Sequence, residues 1–354
     1  MNIVSTFSER YWYFLFGSLD ESGPIFIWAK PGNTKTKMEG KIVMRRIVNL
    51  SVLLLVCAML FTACDAKRNA GMINADDYLS AVPKVENLTD MDTSKIIGLE
   101  DGVLTVGMEC AYAPYNWTQT DDSYGAVPIS NVSGSYANGY DVMIAKRICE
   151  TYGWELEIVS SAWDSLTPAV QSKTMDANIA GQSMTADRLA EVNMAGPYYY
   201  ATIVCLTTKD SAYASAKSIA DLAGGKCTAQ SGTIWYDSCL PQIENAKLIA
   251  PADTAPAMLM QLETGTVDFI CTDMPTAMGA VAKNDDFVIL NFSGTAGDFQ
   301  FASEQERAEN VNIGISVLKD NEELTQAVNK VLSILDEEDF NAMMDYAIAI
   351  QPEL

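Results

Sequence analysis

From Val103 onward, apolar runs alternate with amphipathic stretches, and this alternation is the feature that most constrains the fold. Val103 to Met108 (VLTVGM) reads as a strand, and Tyr140 to Tyr152 as a helix with Val142, Ile144, Ala145 and Ile148 on its apolar face. Glu155 to Val159 is again strand-like, and Leu166 to Ser172 helical. The pattern continues with a short helix at Lys217 to Ala223 and a strand at Lys226 to Gln230. A helix at Thr254 to Thr264, a strand at Val267 to Cys271 and a late helix at Thr325 to Leu335 complete it. Strand–helix alternation of this kind argues for layered α/β architecture. A chain of 354 residues is long enough for two lobes of ordinary domain size.

Composition removes several classes of chemistry. The formal net charge is −23, opposite to the Lys and Arg excess with which proteins grip a phosphate backbone, so no nucleic-acid partner is expected. The chain has no histidine, which excludes Ser-His-Asp and Cys-His nucleophilic arrangements and every His-containing zinc site. No GxxxxGK[ST] phosphate loop occurs, and neither a cofactor nor a metal is implied. Of eight cysteines, Cys205 and Cys271 lie mid-strand in IVCLT and FICTD, where free cysteine packs as a small hydrophobe. Most of the others read as core as well. Cys110–Cys149 and Cys227–Cys239 are the pairs to check for disulfides, since connectivity does not follow from sequence.

One segment carries recognisable binding chemistry. Asp176 to Tyr200 places Ser183, Thr185 and Arg188 where an apolar strand gives way to a helix over Ala186 to Val192, with Thr185 as the N-cap. Backbone N–H groups at a helix start attract anions, and an Arg one turn in offers a planar fork to a carboxylate. An ordinary capped helix with a solvated Arg would read the same way. Four further segments are VLTVGMECAYAPYNW from Val103, GYDVMIAKRIC from Gly139, WDSLTPAVQ from Trp163 and TVDFICTDMP from Thr266. In this order and at these spacings the chain resembles the polar amino-acid solute-binding proteins of ABC transporters (family 3), over roughly Asp101 to Ile350.

That resemblance implies a type II periplasmic-binding-protein fold, with two lobes joined by two crossing strands and the ligand in the cleft between them. The crossings would fall near Thr202 to Thr207 and Leu290 to Ser293, giving a discontinuous first lobe of 101–204 plus 293–354 and a second of 205–292. Arg188, with Ser183 and the N–H of Gly181, would take the ligand carboxylate, joined by Thr233 and Ile234 from a second strand-to-helix turn. Asp273 matches the ammonium-binding position, although a carboxylate there would equally serve as a turn or helix cap. Tyr112 and Trp163 would wall the aliphatic part of the ligand. Glu109, Gln230 and Thr272 would face its side chain, and a carboxylate at Glu109 would favour a basic or amide ligand over an acidic one. Pairing of Glu109 with a Lys or Arg of the protein is the alternative. Asp121 to Asn138 resembles an enlarged hairpin.

The N-terminal part reads differently. Met44-Arg45-Arg46 precedes the apolar run IVNLSVLLLVCAMLFTAC, which describes a signal peptide over 44–63. Phe61-Thr62-Ala63-Cys64 resembles a lipoprotein processing box, with Phe where Leu is usual, and Cys64 would carry the lipid anchor. Residues 1–43 fit nothing downstream and read as an extension from a start codon assigned too early, with Met44 or Met38 the real one; a genuine cytoplasmic extension is the alternative. Residues 64–100 read as a flexible tether with a short helix near Asp76 to Ala81.

The expectation is therefore a monomeric, lipid-anchored extracytoplasmic receptor for a polar amino acid, not an enzyme. It would close on its ligand at the hinge and deliver it to a permease driven by a separate ATPase. The rivals are an enzyme on the same scaffold, of the cyclohexadienyl dehydratase type with Glu109 as acid or base, and a ligand-sensing ectodomain.

Overall fold

The computed structural model describes residues 73–85 and 93–352; the signal segment, Cys64 and the extension before Met44 lie outside them. Along the chain the strands are β1 (Val103–Met108), β2 (Ala111–Tyr112), β3 (Asn116–Gln119), β4 (Val127–Pro128), β5 (Tyr136–Asn138), β6 (Glu155–Ser160), β7 (Ala177–Ser183), β8 (Asn193–Tyr200), β9 (Ile203–Thr208), β10 (Lys226–Thr228), β11 (Lys247–Leu248), β12 (Phe269–Asp273), β13 (Phe287–Leu290) and β14 (Asn312–Val317). The α-helices are α1 (Asp76–Leu79), α2 (Tyr140–Tyr152), α3 (Trp163–Gln171), α4 (Ala186–Glu191), α5 (Ala255–Glu263), α6 (Met274–Lys283), α7 (Glu304–Val311), α8 (Glu322–Leu332) and α9 (Glu337–Ile350).

Two five-stranded sheets form the frame, in the orders β6-β1-β7-β14-β8 and β11-β10-β12-β9-β13. In the first, β1 runs parallel to β6 and β7, while β14 returns antiparallel between β7 and β8. In the second, β10 is parallel to β11 and β12, and β9 is antiparallel to β12 and β13. The segment expected as an enlarged hairpin, Asp121 to Asn138, supplies the antiparallel pair β4 and β5, which joins β2 and β3 in a small sheet of order β2-β3-β5-β4.

The cores follow from the apolar periodicity. Leu104, Val106 and Met108 of β1 are fully buried in one core with Ile144 and Ile148 of α2 and Ile158 of β6. Each such aliphatic side chain contributes about 1.5–3 kcal/mol. On α8, Leu324, Ala327, Val328, Val331 and Leu332 recur at three- and four-residue intervals and are buried. The Asn321 side chain caps that helix by accepting from the Leu324 N–H at 3.3 Å.

Three expectations need correcting. Residues 203–206 (IVCL), expected in the first crossing, are all buried in β9, inside the second sheet between β12 and β13, and the chain passes between sheets at Ala201-Thr202. A continuous apolar run suits a strand covered on both faces. The stretch after Leu290 stays with the second sheet: the Ile219 N–H donates to the Gly297 carbonyl at 2.9 Å, and the Gln300 N–H to Gln242 Oε1 at 2.7 Å. We place the return crossing between Gln300 and β14. Part of the supposed tether is packed: Val82, Ile96 and Leu99 are buried, and Tyr78 of α1 meets Tyr346 with ring centroids 5.8 Å apart. Tyr78, in that polar stretch, thus has its partner on α9. The six cysteines among the described residues are buried and unpaired, so neither candidate disulfide is present.

Candidate functional site

The first and second sheets face one another across a cavity of about 300 Å³. One wall comes from β2, α3, β7 and α4, and the other from the turn after β10, residues 232–238. Tyr112, Trp163, Gly181, Ser183, Arg188, Thr233 and Ile234, all expected at a site from sequence, line it together.

Arg188 is the third residue of α4. Its N–H is satisfied by the Thr185 hydroxyl at 3.2 Å, so the N-cap read from sequence forms as expected. That bond also occupies an N–H that an anion would otherwise use, leaving the guanidinium as the main anion receptor. Its Nη1 donates to the Ser183 carbonyl, and the group lies over the Trp163 ring, 5.8 Å from the centroid. Among the described residues no carboxylate is within ion-pair distance of it. Burial lowers its pKa, and Glu191 on the next turn partly offsets this. A half-buried, forked cation with spare donors facing a cavity is built for a carboxylate.

Two glycines are required by close approach. Gly181 has φ +64°, and a Cβ there would come within 2.7 Å of the Tyr112 ring. Gly232 also has φ +64°, and a Cβ would lie 3.2 Å from Trp163 Nε1. The Trp163 indole N–H donates across the cleft to the Gly232 carbonyl at 3.4 Å. After Gly232 the chain enters a helical turn, in which the Tyr236 and Asp237 N–H groups both reach back to the Thr233 carbonyl. The N–H groups of Thr233 and Ile234 open that turn, where no upstream carbonyl of the turn can take them. The Thr233 hydroxyl donates to the Gln230 carbonyl at 2.7 Å, which fixes the turn.

Glu109, Gln230 and Asp273 do not line the cavity. Glu109 is buried, and its partner is Gln230, whose Nε2 donates at 3.1 Å; among the described residues no Lys or Arg is in ion-pair distance of it. Burial pushes its carboxyl up to about 7, held back by the Gln230 bond and raised further by Asp164. Asp273 is fully buried and caps α6, accepting from the Thr276 N–H and hydroxyl at 2.9 Å each. Its Oδ2 also accepts from the Tyr112 hydroxyl at 2.5 Å. Burial raises its pKa, and these bonds hold it back. The cap reading of Asp273 is therefore realised, with Tyr112 standing between it and the cavity. Thr272 is likewise buried.

Sequence reasoning missed Asp187, Glu191 and Asp237, which put carboxylates on the cavity lining. Asp187 adjoins Arg188 and Glu191 follows one turn later, a spacing that helical geometry makes one-sided. Asp237 follows Thr233 by four residues on its turn.

Residues 104–345 match the family described as Bacterial extracellular solute-binding proteins, family 3. The chain is 27% identical over 234 residues to the L-cystine-binding protein TcyJ of Escherichia coli K12, covering 66% of this chain and 77% of that one. It is 27% identical over 209 residues to a probable histidine-binding protein of Campylobacter jejuni, covering 59% of this chain and 75% of that one. Among solved structures it is similar to an amino acid ABC transporter substrate-binding protein, AbpA, of Streptococcus pneumoniae bound to L-arginine. That match has a TM-score of 0.57 at 25% identity and covers 72% of this chain and 98% of the other. With the family matched across both sheets, and the two lobes and their cleft in place, this chain belongs to the bacterial extracellular solute-binding proteins of family 3.

Proposed function

We propose that the protein is the extracytoplasmic receptor of an ABC importer and captures one polar amino acid between its lobes. The observation that carries this reading is the Arg188 guanidinium, desolvated and with no carboxylate in ion-pair distance among the described residues, facing the Thr233–Ile234 turn across a cavity of about 300 Å³. That volume is at the small end of ligand pockets and suits a single amino acid. The ligand carboxylate would bridge Arg188 and the turn, tying one lobe to the other. Tyr112 and Trp163, whose rings meet edge-on at 6.5 Å, would hold the aliphatic stem. The ammonium end would take the place of the Tyr112 hydroxyl on Asp273. The named relatives bind cystine, histidine and arginine, in line with a polar ligand.

Closure on the ligand would create the form that a permease and its ATPase recognise. A lipid at Cys64 would hold the receptor at the outer face of the cell membrane. Glu109, with its pKa near 7, is the residue an enzymatic role would use, but its carboxylate faces Gln230 instead of the cavity. We therefore propose binding without turnover. The test is a thermal-shift screen of the twenty amino acids and cystine, followed by calorimetry and by chromatography of the recovered ligand. A tight binder raises the melting temperature by mass action. A screen in which no amino acid shifts it, or a ligand recovered chemically altered, would sink this reading.

A further inference from the structure

The cavity floor contains a backbone irregularity with a dedicated support. Between the pairs Gly314↔Gln182 and Ser316↔Asn178, the single residue Ile315 of β14 faces three residues of β7, 179–181. Between Ile313↔Tyr199 and Ile315↔Ala195, Gly314 faces three residues of β8, 196–198. Strand β14 is thus flanked by an expanded bulge on each side. Bulges of this kind re-aim residues near functional sites. Gly181 lies in the first bulge and lines the cavity. Its N–H, outside the ladder pairs, donates to the Tyr198 hydroxyl of the second bulge at 3.0 Å.

Tyr198 donates in turn to Asp141 Oδ1 at 2.7 Å, and Asn116 Nδ2 donates to Asp141 Oδ2 at 2.8 Å. All three side chains are fully buried. A phenol rotates freely unless its proton is committed. Here the proton is committed to Asp141, so an oxygen lone pair faces the Gly181 N–H. Burying a carboxylate is costly, and this one has no cation partner among the described residues. Its place in the first turn of α2, its two side-chain donors and the nearby Gly181 N–H offset part of that cost.

We infer that Tyr198 and Asp141 are positioning residues for the ligand cavity, fixing the Gly181 bulge and, through the Tyr112 ring packed on it, the floor on which ligand rests. The inference rests on reading the cavity as an amino-acid site, but its first readout needs no ligand. The Gly181 amide would be followed by NMR in the ligand-free protein labelled with 15N-glycine. In Tyr198→Phe the ring stays and the acceptor is lost, so Gly181 should exchange at least tenfold faster and shift upfield. L-Arginine, L-histidine and L-cystine would then be titrated by calorimetry. The dissociation constant of whichever binds should rise about tenfold in Tyr198→Phe, and also in Asp141→Ala where that variant folds. Tyr152→Phe is the control: it removes a comparable bond to the Ala327 carbonyl at 2.9 Å, away from the cavity. It should lower stability while leaving affinity and the Gly181 amide unchanged. An unmoved Gly181 amide in Tyr198→Phe would overturn the inference. So would a freed amide with unchanged affinity, or an equal loss of affinity in Tyr152→Phe. If the unmodified protein binds neither cystine nor any of the twenty amino acids, the amino-acid reading is what has failed, and the amide result still decides whether Tyr198 holds the bulge.

Discussion

Replacing Arg188 by Ala separates ligand binding from folding more cleanly than any other single change in the cleft. In the folded protein the guanidinium makes one bond, to the Ser183 carbonyl, and a face contact with Trp163. A bond from a charged donor is worth roughly 1.5–3 kcal/mol, and an exposed cation–π contact about 0.5–1 kcal/mol. Against these stands the desolvation that lowers the Arg188 pKa, which Ala would relieve. These contributions oppose one another, so unfolding stability should change less than binding does. Binding should respond very differently. Removing one side of a desolvated charge pair costs about 2–5 kcal/mol, or roughly thirty-fold to several-thousand-fold in affinity. Arg188→Lys keeps the charge but loses the planar fork, and should fall between the two. Calorimetry with the screened amino acid, alongside urea unfolding of both variants, measures each quantity. Unchanged affinity in Arg188→Ala would refute the carboxylate role. A stability loss as large as the binding loss would show that the guanidinium is structural.

The α/β class was legible because strand and helix periods were strong: β1, α2 and α8 bury the faces their spacing marks. The cap at Thr185 and the gathering of Tyr112, Trp163, Ser183 and Arg188 around one cavity were also legible. What sequence did not show is what depends on the opposite lobe. Glu109 could be placed after β1, but its partner Gln230 lies 121 positions away. Asp273 could be placed at a strand end, but both its readings, cap and receptor, use the same oxygens. The Thr276 donors that make it a cap are local, but the Tyr112 hydroxyl that shares Oδ2 comes from 161 positions away. The return crossing was misplaced for a related reason. Residues 294–300 carry no periodicity, and their allegiance is set by bonds to the Ile219 N–H and the Gln242 side chain.

Leu104, fully buried in β1, should lose about 2–5 kcal/mol of stability on change to Ala, measured by urea unfolding. Cys64→Ala should release the protein from the membrane fraction, and a variant that stays anchored and is normally trimmed would refute lipidation there. Burial holds Glu109 up at about 7, so the folded state favours its proton; the associated stability is present below the ordinary carboxylate range and lost as pH rises through about 7. Glu109→Gln should flatten that decline between pH 5 and 8, and an unchanged slope would show that another group titrates. The last prediction concerns Tyr112→Phe, which removes the hydroxyl from Asp273 and leaves the ring on Gly181. Asp273 then loses one of its donors while remaining buried, so the ligand-free protein should be destabilised by about 1–3 kcal/mol. If the ligand ammonium takes the vacated position, bound protein recovers that loss. Ligand should therefore raise the melting temperature more in Tyr112→Phe than in the unmodified chain, with affinity held or improved. A smaller shift with weakened affinity would mean that the hydroxyl itself contacts the ligand and that Asp273 is a helix cap alone.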